Sequence, residues 1–203
     1  MAEGDVDTET KIKEAAKKIF ITHGYEGAKV RQIAEEAGVN IALLNYYFRS
    51  KEQLFISIYA ETMAAFFGAM FALMNEETPL EVKVWRIVDK YTDFLIDNPM
   101  MPTFILAEQG KNGVDFFKNL GAKGMFEQSK LATQLMEGAK KGTIRSIKPF
   151  QFIIMLMGNI AFPFIARPMI SYVGGLDEAG FRQFMDERKL LVPDMLMSFL
   201  KVR

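Results

Sequence analysis

Residues 24–55 read GYEGAKVRQIAEEAGVNIALLNYYFRSKEQLF, and this stretch decides the fold. Apolar residues in its first half recur at i, i+3, i+4 and i+7, the spacing of one helix face. These residues are Val30, Ile33, Ala34 and Ala37. Gly38 follows where a helix ends in the left-handed conformation, and Asn40 is a suitable N-cap for a second short helix. Two short helices joined by a tight turn predict a helix-turn-helix, a motif whose second helix enters the major groove of DNA.

The same stretch resembles the N-terminal region of the TetR (tetracycline-repressor) family of bacterial transcription regulators. The residues that match the family pattern are Gly24, Tyr25, Val30, Ile33, Ala34, Ala37, Gly38, Val39, Leu44, Tyr46, Tyr47, Phe48, Ser50, Lys51, Glu52 and Leu54. The chain also departs from the pattern. Ala28 and Lys29 replace a usual Thr pair, Asn40 replaces Ser, Ala42 replaces Gly, and Asn45 replaces a Tyr that often reads a base. These departures preserve the fold and leave the operator sequence open.

The resemblance implies an all-α protein with two domains. Residues 1–52 form a three-helix domain that carries the helix-turn-helix, and residues 53–203 form a helical domain for ligand binding and dimerisation. In the family, the last two helical regions pair with their symmetry mates. The apolar residues expected at that interface are Phe152, Leu156, Ile160, Phe164, Leu196, Phe199 and Leu200.

Charge and composition limit the classes of function. The net charge is zero, but Lys11 to Lys51 contains eight basic and four acidic residues, an excess that favours binding to duplex DNA. The chain has no cysteine and one histidine, so thiol and zinc–thiolate chemistry are excluded. No residue pattern of an active site is present, and we expect neither an enzyme nor a cofactor. The acidic N-terminus is unlike a signal peptide, and we expect a cytoplasmic protein.

The periodicity predicts helices along the rest of the chain. The first runs over about 8–23 and ends at Gly24. Another runs over 51–74, with Ser50 as its N-cap. The next begins at Thr78 as N-cap, with Pro79 in the first helical position, and stops before Asn98. Further helices are predicted over 99–109 and 123–141, from Pro149 with a kink before Pro163, and over 177–200 with a break or kink at Pro193. An irregular turn is expected around Phe116.

Eight residues form the predicted DNA-contact set: Lys29, Arg31, Asn40, Ala42, Asn45, Tyr46, Tyr47 and Lys51. Arg can bond guanine and Asn can pair with adenine in the major groove, which fits Arg31 and Asn45. Resemblance to the family implies that the tyrosine pair and Lys51 meet phosphates. Ile41 is expected to pack inward rather than touch a thymine methyl group, and Tyr47 can be partly buried.

The second half is rich in Met and Phe, with 14 Met and 18 Phe in the chain. Such residues suit an adaptable apolar pocket, although each is also an ordinary core residue. The predicted ligand contacts are Met63, Phe66, Phe67, Met70, Trp85, Tyr91, Phe104, Phe126, Met155 and Asn159. For Asn159 two roles stay open: a hydrogen bond to the ligand or one across a dimer interface.

Together these observations predict a homodimeric transcriptional regulator. It would bind a near-palindromic operator in double-stranded DNA and act as a repressor that a small apolar ligand releases. The alternative is a DNA-binding protein whose second domain only dimerises or binds a protein partner. The sequence names neither the ligand nor the regulated genes.

Overall fold

The computed structural model describes residues 3–102, 104–106, 118 and 124–202, and for residues 3–6 it describes the backbone alone. Within these residues the chain is helical and contains no strand, which confirms the all-α class. The helices are α1 (Glu3–Gly27), α2 (Val30–Ala37), α3 (Ile41–Phe48), α4 (Lys51–Asn75), α5 (Leu80–Asp97), α6 (Lys130–Lys140), α7 (Pro149–Ile165), α8 (Arg167–Gly174) and α9 (Glu178–Leu200). Residues 101–102 and 104–106 are also helical.

The chain divides into two compact units, Met1–Ala64 and Ala65–Arg203. This division lies later than the predicted boundary after residue 52, because the first three turns of α4 pack in the N-terminal unit. Leu54, Phe55, Ile58 and Tyr59 of α4 are all buried. Phe55 packs against Phe20 of α1, with their ring centroids 5.0 Å apart.

The N-terminal unit has a small apolar core that α1 supplies to the helix-turn-helix. Its fully buried residues include Ile12, Ala16, Phe20, Ile33 and Leu44. Each fully buried large apolar side chain contributes about 1.5–3 kcal/mol. The predicted turn is present as well: Gly38 has φ +68° and closes α2, and the Asn40 side chain accepts a hydrogen bond of 2.8 Å from the Leu43 N–H.

The second unit has its own core, formed between α5, α6, α7 and α9. Val84, Val88 and Leu95 on α5 are buried, as are Leu131 and Leu135 on α6. The residues predicted for the dimer interface contribute to this same core: Phe152, Leu156, Ile160, Phe164, Leu196 and Leu200 are buried within the chain. The guanidinium of Arg145 lies over the ring of Phe199, 4.7 Å from its centroid. Six of the seven residues predicted for the dimer interface are thus buried within the chain and offer little surface to a second copy, whereas Phe199 is half-buried.

Three predicted helix ends are corrected. The first helix begins at Glu3, earlier than predicted, whereas its predicted end at Gly24 is confirmed: Gly24 has the non-helical angles φ 68° and ψ 172°, and the helical residues 25–27 follow this kink. Pro79, not Thr78, is the N-cap of α5, and within the described part of the chain the Thr78 hydroxyl has no hydrogen-bond partner. The helix predicted from 123 begins instead at Lys130, because Ser129 caps it by accepting the Ala132 N–H at 3.2 Å. The predicted end of the helix over 99–109 and the turn around Phe116 lie outside the described residues.

Two prolines are accommodated inside helices. α7 continues through Pro163 to Ile165, and α9 continues unbroken through Pro193. The bend expected before Pro163 comes instead after Ile165, where α7 and α8 differ in direction by 71°. Pro168 lies in the first turn of α8, and proline there cannot continue the preceding helix. The sequence did not predict α8 as a separate helix.

Helix α4 is long and apolar enough to cross a membrane by length and composition, as is the bent pair α7–α8 taken together. Core helices of soluble proteins meet the same criteria. In α4, 44% of the most apolar window is buried inside the chain.

Candidate nucleic-acid interface and apolar cavity

The exposed face of α3 presents polar and apolar groups together. Asn45 and Ala42 are exposed, and Tyr46 keeps 77% of its surface accessible. Leu44 and Phe48 point the other way into the core. Ile41 is 43% exposed, so the expectation that it packs inward is wrong: its position in the first turn of a short helix places it outside the buried stripe. This face has the composition that reads base edges and thymine methyl groups.

The cations of the N-terminal unit differ in their freedom to meet phosphate. Lys11, Lys13, Lys17 and Lys18 form ion pairs with neighbouring carboxylates. In the part of the chain that the structure describes, Lys29 and Arg49 are exposed and have no carboxylate partner. Sequence reasoning missed Arg49. It follows α3 directly at φ +55°, a conformation that non-glycine residues adopt rarely, and this conformation has no sequence signal.

The other predicted DNA contacts have intramolecular partners. Arg31 donates from Nε to Glu35 at 2.9 Å, which leaves its two terminal nitrogens available for a base. Tyr47 is half-buried and its ring lies 5.4 Å from that of Tyr46. Asn40 uses its side-chain oxygen to cap α3. Lys51 is half-buried, and its ammonium group donates to two backbone carbonyls.

The second unit contains a small cavity of about 30 Å³ with an entirely apolar lining. Five of the ten predicted ligand residues line it: Phe66, Phe67, Met70, Tyr91 and Phe126. Sequence reasoning missed five further lining residues: Met74, Ile87, Ile153, Leu156 and Met157. The apolar spacing along a helix is the same whether its buried face lines a cavity or packs in a filled core, so the sequence does not distinguish the two. Burial raises the pKa of Tyr91 to about 12, so its phenol is neutral at physiological pH.

The remaining predicted ligand residues lie elsewhere. Met63 belongs to the N-terminal unit, and Phe104 is fully buried outside the cavity lining. Trp85 lines a separate groove with Asp186 and Lys189. Met155 is half-buried, and its carbonyl accepts a 2.8 Å hydrogen bond from the Asn159 side chain.

A larger groove adjoins the cavity between α4 and α5. Its volume is about 330 Å³, and its lining consists of Phe66, Ala69, Met70, Leu73, Lys90 and Phe94. Phe66 and Met70 line both spaces, and the Phe66 ring stacks on Phe94 with centroids 4.1 Å apart. These two side chains therefore separate the cavity from the groove.

Within the described residues, no three His, Asp or Glu side chains come together in a group that could hold a metal ion. The two candidate sites are a polar surface with the exposed cations Lys29 and Arg49 on one unit, and an apolar cavity in the other.

The turn at Gly38 and the capped helix α3 after it define a helix-turn-helix, and comparison with known proteins shows which family this motif resembles. Residues 12–58 match the family described as "Bacterial regulatory proteins, tetR family". This match covers the helix-turn-helix and the start of α4, so this part of the chain is similar to that family of regulators.

Two relatives and one solved structure are similar along more of the chain. The HTH-type transcriptional repressor NicS of Pseudomonas putida is 29% identical over 58% of this chain and 56% of its own length. The repressor AcnR of Corynebacterium efficiens is 28% identical over 82% of this chain and 86% of its own. FadR from Bacillus subtilis, solved in complex with stearoyl-CoA, has a TM-score of 0.64 at 21% identity, covering 94% of this chain and 98% of that one. The match to NicS thus spans little more than half of that repressor.

Proposed function

We propose that the protein is a transcriptional repressor that binds operator DNA as a homodimer and is released by a largely apolar ligand. The observation that carries the proposal is the capped helix α3, which turns Asn45 and Tyr46 to solvent, in a unit where Lys29 and Arg49 are exposed and have no carboxylate partner among the described residues. Its named relatives NicS and AcnR are transcriptional repressors, which supports the same output here. We place its action in the cytoplasm, where such regulators meet DNA.

Within the proposed interface the residues have different roles. Asn45 and Arg31 are the candidates for base contacts, since Asn pairs with adenine and Arg with guanine. Tyr46, Tyr47, Lys29 and Arg49 are the candidates for phosphate contacts, which give affinity without sequence preference. Asn40 acts by capping α3, and Ala42 allows close approach of the backbone to the groove.

The ligand proposal depends on the ability of the cavity to open. A cavity of about 30 Å³ is far smaller than the roughly 300–1,000 Å³ of typical ligand sites. Phe66 and Met70 separate it from the adjoining groove of about 330 Å³. Methionine repacks easily, so movement of these two side chains would join the two spaces. A ligand with an apolar chain fits such a site, and the similar FadR structure holds stearoyl-CoA.

The route from ligand to DNA runs along α4. Phe66 and Met70 lie on this helix, and the same helix begins at Lys51 in the N-terminal unit. A ligand that displaces these side chains would move α4 and with it the helix-turn-helix. The change in DNA affinity cannot exceed the ligand's difference in affinity for the two states, and couplings of about 1–3 kcal/mol are usual.

Footprinting on genomic fragments tests the DNA half of the proposal. We expect a protected near-palindrome whose half-sites lie one or more helical turns apart, about 34–36 Å per turn. Asn45→Ala should weaken binding by about 1–3 kcal/mol at one base position only. Protection without symmetry, or none at all, would contradict the proposal.

A second candidate function retains DNA binding but gives the second unit no ligand. The small volume of the cavity favours it. A thermal-shift screen with apolar compounds separates the two. Stabilisation by any of them supports the ligand-responsive repressor, and no stabilisation by a broad panel supports a domain that only dimerises or binds a protein.

A further inference from the structure

Lys51 occupies an unusual place for a cation. It is the first residue of α4, and the N-terminus of a helix carries partial positive charge that disfavours lysine. Its side chain does not extend into solvent. The Nζ atom donates hydrogen bonds to the backbone carbonyls of Tyr25, at 2.8 Å, and Ala28, at 3.1 Å. It also lies 4.5 Å from the centroid of the Tyr25 ring.

The two carbonyls belong to the junction between α1 and α2. Carbonyls in the last turn of a helix lack intrahelical partners, and α1 ends at Gly27 after the non-helical Gly24. Ala28 is 2% exposed, so water has little access to this point. A buried acceptor without a partner destabilises a fold, and the ammonium of Lys51 removes that cost for the Ala28 carbonyl while it also binds the Tyr25 carbonyl. The chain then enters α2 at Val30.

Neighbouring contacts fasten the same part of α4 to α1. The Tyr25 ring packs against Phe55 with centroids 4.7 Å apart, and Lys13 pairs with Glu61 at 2.9 Å. Lys51 is the member of this set that also reaches the α1–α2 link. Its loss would therefore free the start of the helix-turn-helix from α4 while the aromatic packing stays in place.

We propose that Lys51 is a positioning residue: its ammonium ties the first turn of α4 to the α1–α2 junction and is not a phosphate contact. An ammonium has three donors, and here two are used on carbonyls and the group also faces an aromatic ring. To meet a phosphate, Lys51 would have to leave both carbonyls. The DNA part of the test below rests on the proposed function, whereas the exchange part does not.

Amide hydrogen exchange on the full-length protein tests the tie directly. Lys51→Met keeps the length of the side chain but removes the charge and the donors. We expect amide exchange in residues 24–30 to quicken by about tenfold or more, with the cores of both units unchanged. Lys51→Arg retains donors and should restore most of the protection. Unchanged exchange at residues 24–30 in Lys51→Met would overturn the proposal.

The salt dependence of binding to mixed-sequence duplex DNA provides the second readout, because each phosphate contact adds about 0.9 to the slope of log K against log salt. The matched control is Lys29→Met, which removes an exposed cation without a carboxylate partner. For Lys51→Met we expect weaker binding with the wild-type slope. For Lys29→Met we expect a slope lower by about 0.9. A slope reduced equally by Lys51→Met would make Lys51 a phosphate contact and overturn the proposal.

The two failures are distinguishable. If wild-type protein binds no duplex at any salt concentration, the proposed DNA-binding function fails, and the exchange experiment still decides the role of Lys51. If wild-type protein binds DNA, and Lys51→Met lowers the slope of log K against log salt but leaves amide exchange in residues 24–30 unchanged, the proposal on Lys51 fails while the DNA-binding function stands.

Discussion

The guanidinium of Arg188 on α9 donates from Nη2 to the backbone carbonyl of Asn159 on α7 at 2.8 Å. This carbonyl lies four residues before Pro163, which has no N–H to complete the helical hydrogen bond. Arg188 thus supplies the donor that proline removes, which allows α7 to continue to Ile165. Burial lowers the pKa of Arg188, and its Nε atom has no hydrogen-bond partner among the residues that the structure describes. The carbonyl that Pro163 leaves without a helical partner in α7 thus becomes the point where α9 is attached through Arg188.

A double-mutant cycle on Arg188 and Pro163 tests this compensation. Arg188→Met should lower the free energy of unfolding by about 1–3 kcal/mol, because the Asn159 carbonyl loses its partner. In the Pro163→Ala background an N–H is present at position 163, and the same change should cost about 1 kcal/mol less. Urea unfolding monitored by circular dichroism measures both values. The control is Pro193→Ala, which changes a proline of α9 and leaves Asn159 without a new donor. Equal costs of Arg188→Met in the wild-type and Pro163→Ala backgrounds would show that the two residues are independent.

Lys83 should make stability depend on pH. It is 1% exposed, donates to Gln134 at 2.8 Å, and burial lowers its pKa although Glu76 opposes the shift. Between the lowered pKa and 10.5 the unfolded chain binds a proton that the native chain does not, so stability conferred by this group rises with pH. Compared with Lys83→Met, the wild-type protein should therefore gain stability as pH rises toward 10.5. Denaturant unfolding of both proteins at several pH values measures the difference.

Two buried tyrosines also make stability depend on pH in the Lys83 experiment. Burial raises the pKa of Tyr59 and of Tyr91 to about 12, which lowers stability above pH 10 as the unfolded phenols ionise. This effect is common to both proteins and cancels in their difference. Lys90→Met, which removes an exposed cation from the same helix, controls for the change in net charge. A difference between wild type and Lys83→Met that is constant over the whole pH range would exclude the proposed role of burial.

Local signals explain which parts of the fold could be predicted from sequence. Gly38 and Asn40 define the turn and the cap by backbone conformation and a short side chain, and both are where the pattern places them. Asp177 and Gly142 mark helix ends equally well. The end of α2 and the start of α3 follow from such residues, because capping depends only on atoms within a few positions along the chain.

Long-range contacts explain the rest. From the sequence, Pro163 and Pro193 predict kinks or breaks in their helices. The energetic cost of a proline inside a helix depends on which donor binds the carbonyl four residues before it. For Pro163 this donor is Arg188, which lies on another helix and is not visible in the local sequence. Lys51 reads as a surface cation, but the junction it contacts is 23 to 26 positions away along the chain. Half of the cavity lining was missed for the same reason. Periodicity identifies which face of a helix is buried, and packing alone decides whether that face meets another helix or a void.

The cap of α3 should affect both stability and DNA binding. Asn40→Ala removes the acceptor for the Leu43 N–H and should lower the free energy of unfolding by about 0.5–2 kcal/mol. Asn40→Ser retains an oxygen that can cap the helix and should cost less. Thermal unfolding measures the stability, and gel-shift titration at one salt concentration measures the DNA affinity. If Asn40→Ala and Asn40→Ser weaken DNA binding equally while only Asn40→Ala loses stability, Asn40 acts as a direct DNA contact and not only as a cap.

A second copy of the chain should cover an apolar surface that the fold leaves exposed. α7 presents an exposed stripe at four-residue spacing, and α8 has no buried residue. The large exposed apolar residues there are Phe150, Ile154, Phe162, Ile165, Met169, Tyr172 and Val173. A stable dimer buries at least about 1,200 Å² in total, and these residues offer surface for it. Ile154→Glu should convert the protein to a monomer at micromolar concentration in sedimentation velocity. Val82→Glu, at a similarly exposed position on α5, should stay dimeric. A fully dimeric Ile154→Glu variant would place the interface elsewhere.

Filling or widening the cavity should change ligand binding in opposite directions. Trp85 lines a different groove, so its fluorescence is a poor reporter, and Phe126→Trp in a Trp85→Phe background places a single tryptophan at the cavity wall. With this reporter we expect apolar compounds to shift the emission and to weaken DNA binding.

Ile153→Ala enlarges the cavity; it should cost about 2–5 kcal/mol in stability and bind the same compounds more tightly. Ala69→Leu, on the groove side, fills the space that Phe66 and Met70 must enter and should weaken binding without loss of the core. If Ala69→Leu binds apolar compounds as well as the parent does, entry from the groove is wrong. If no compound shifts the reporter and a polar metabolite releases DNA instead, the ligand binds outside this cavity.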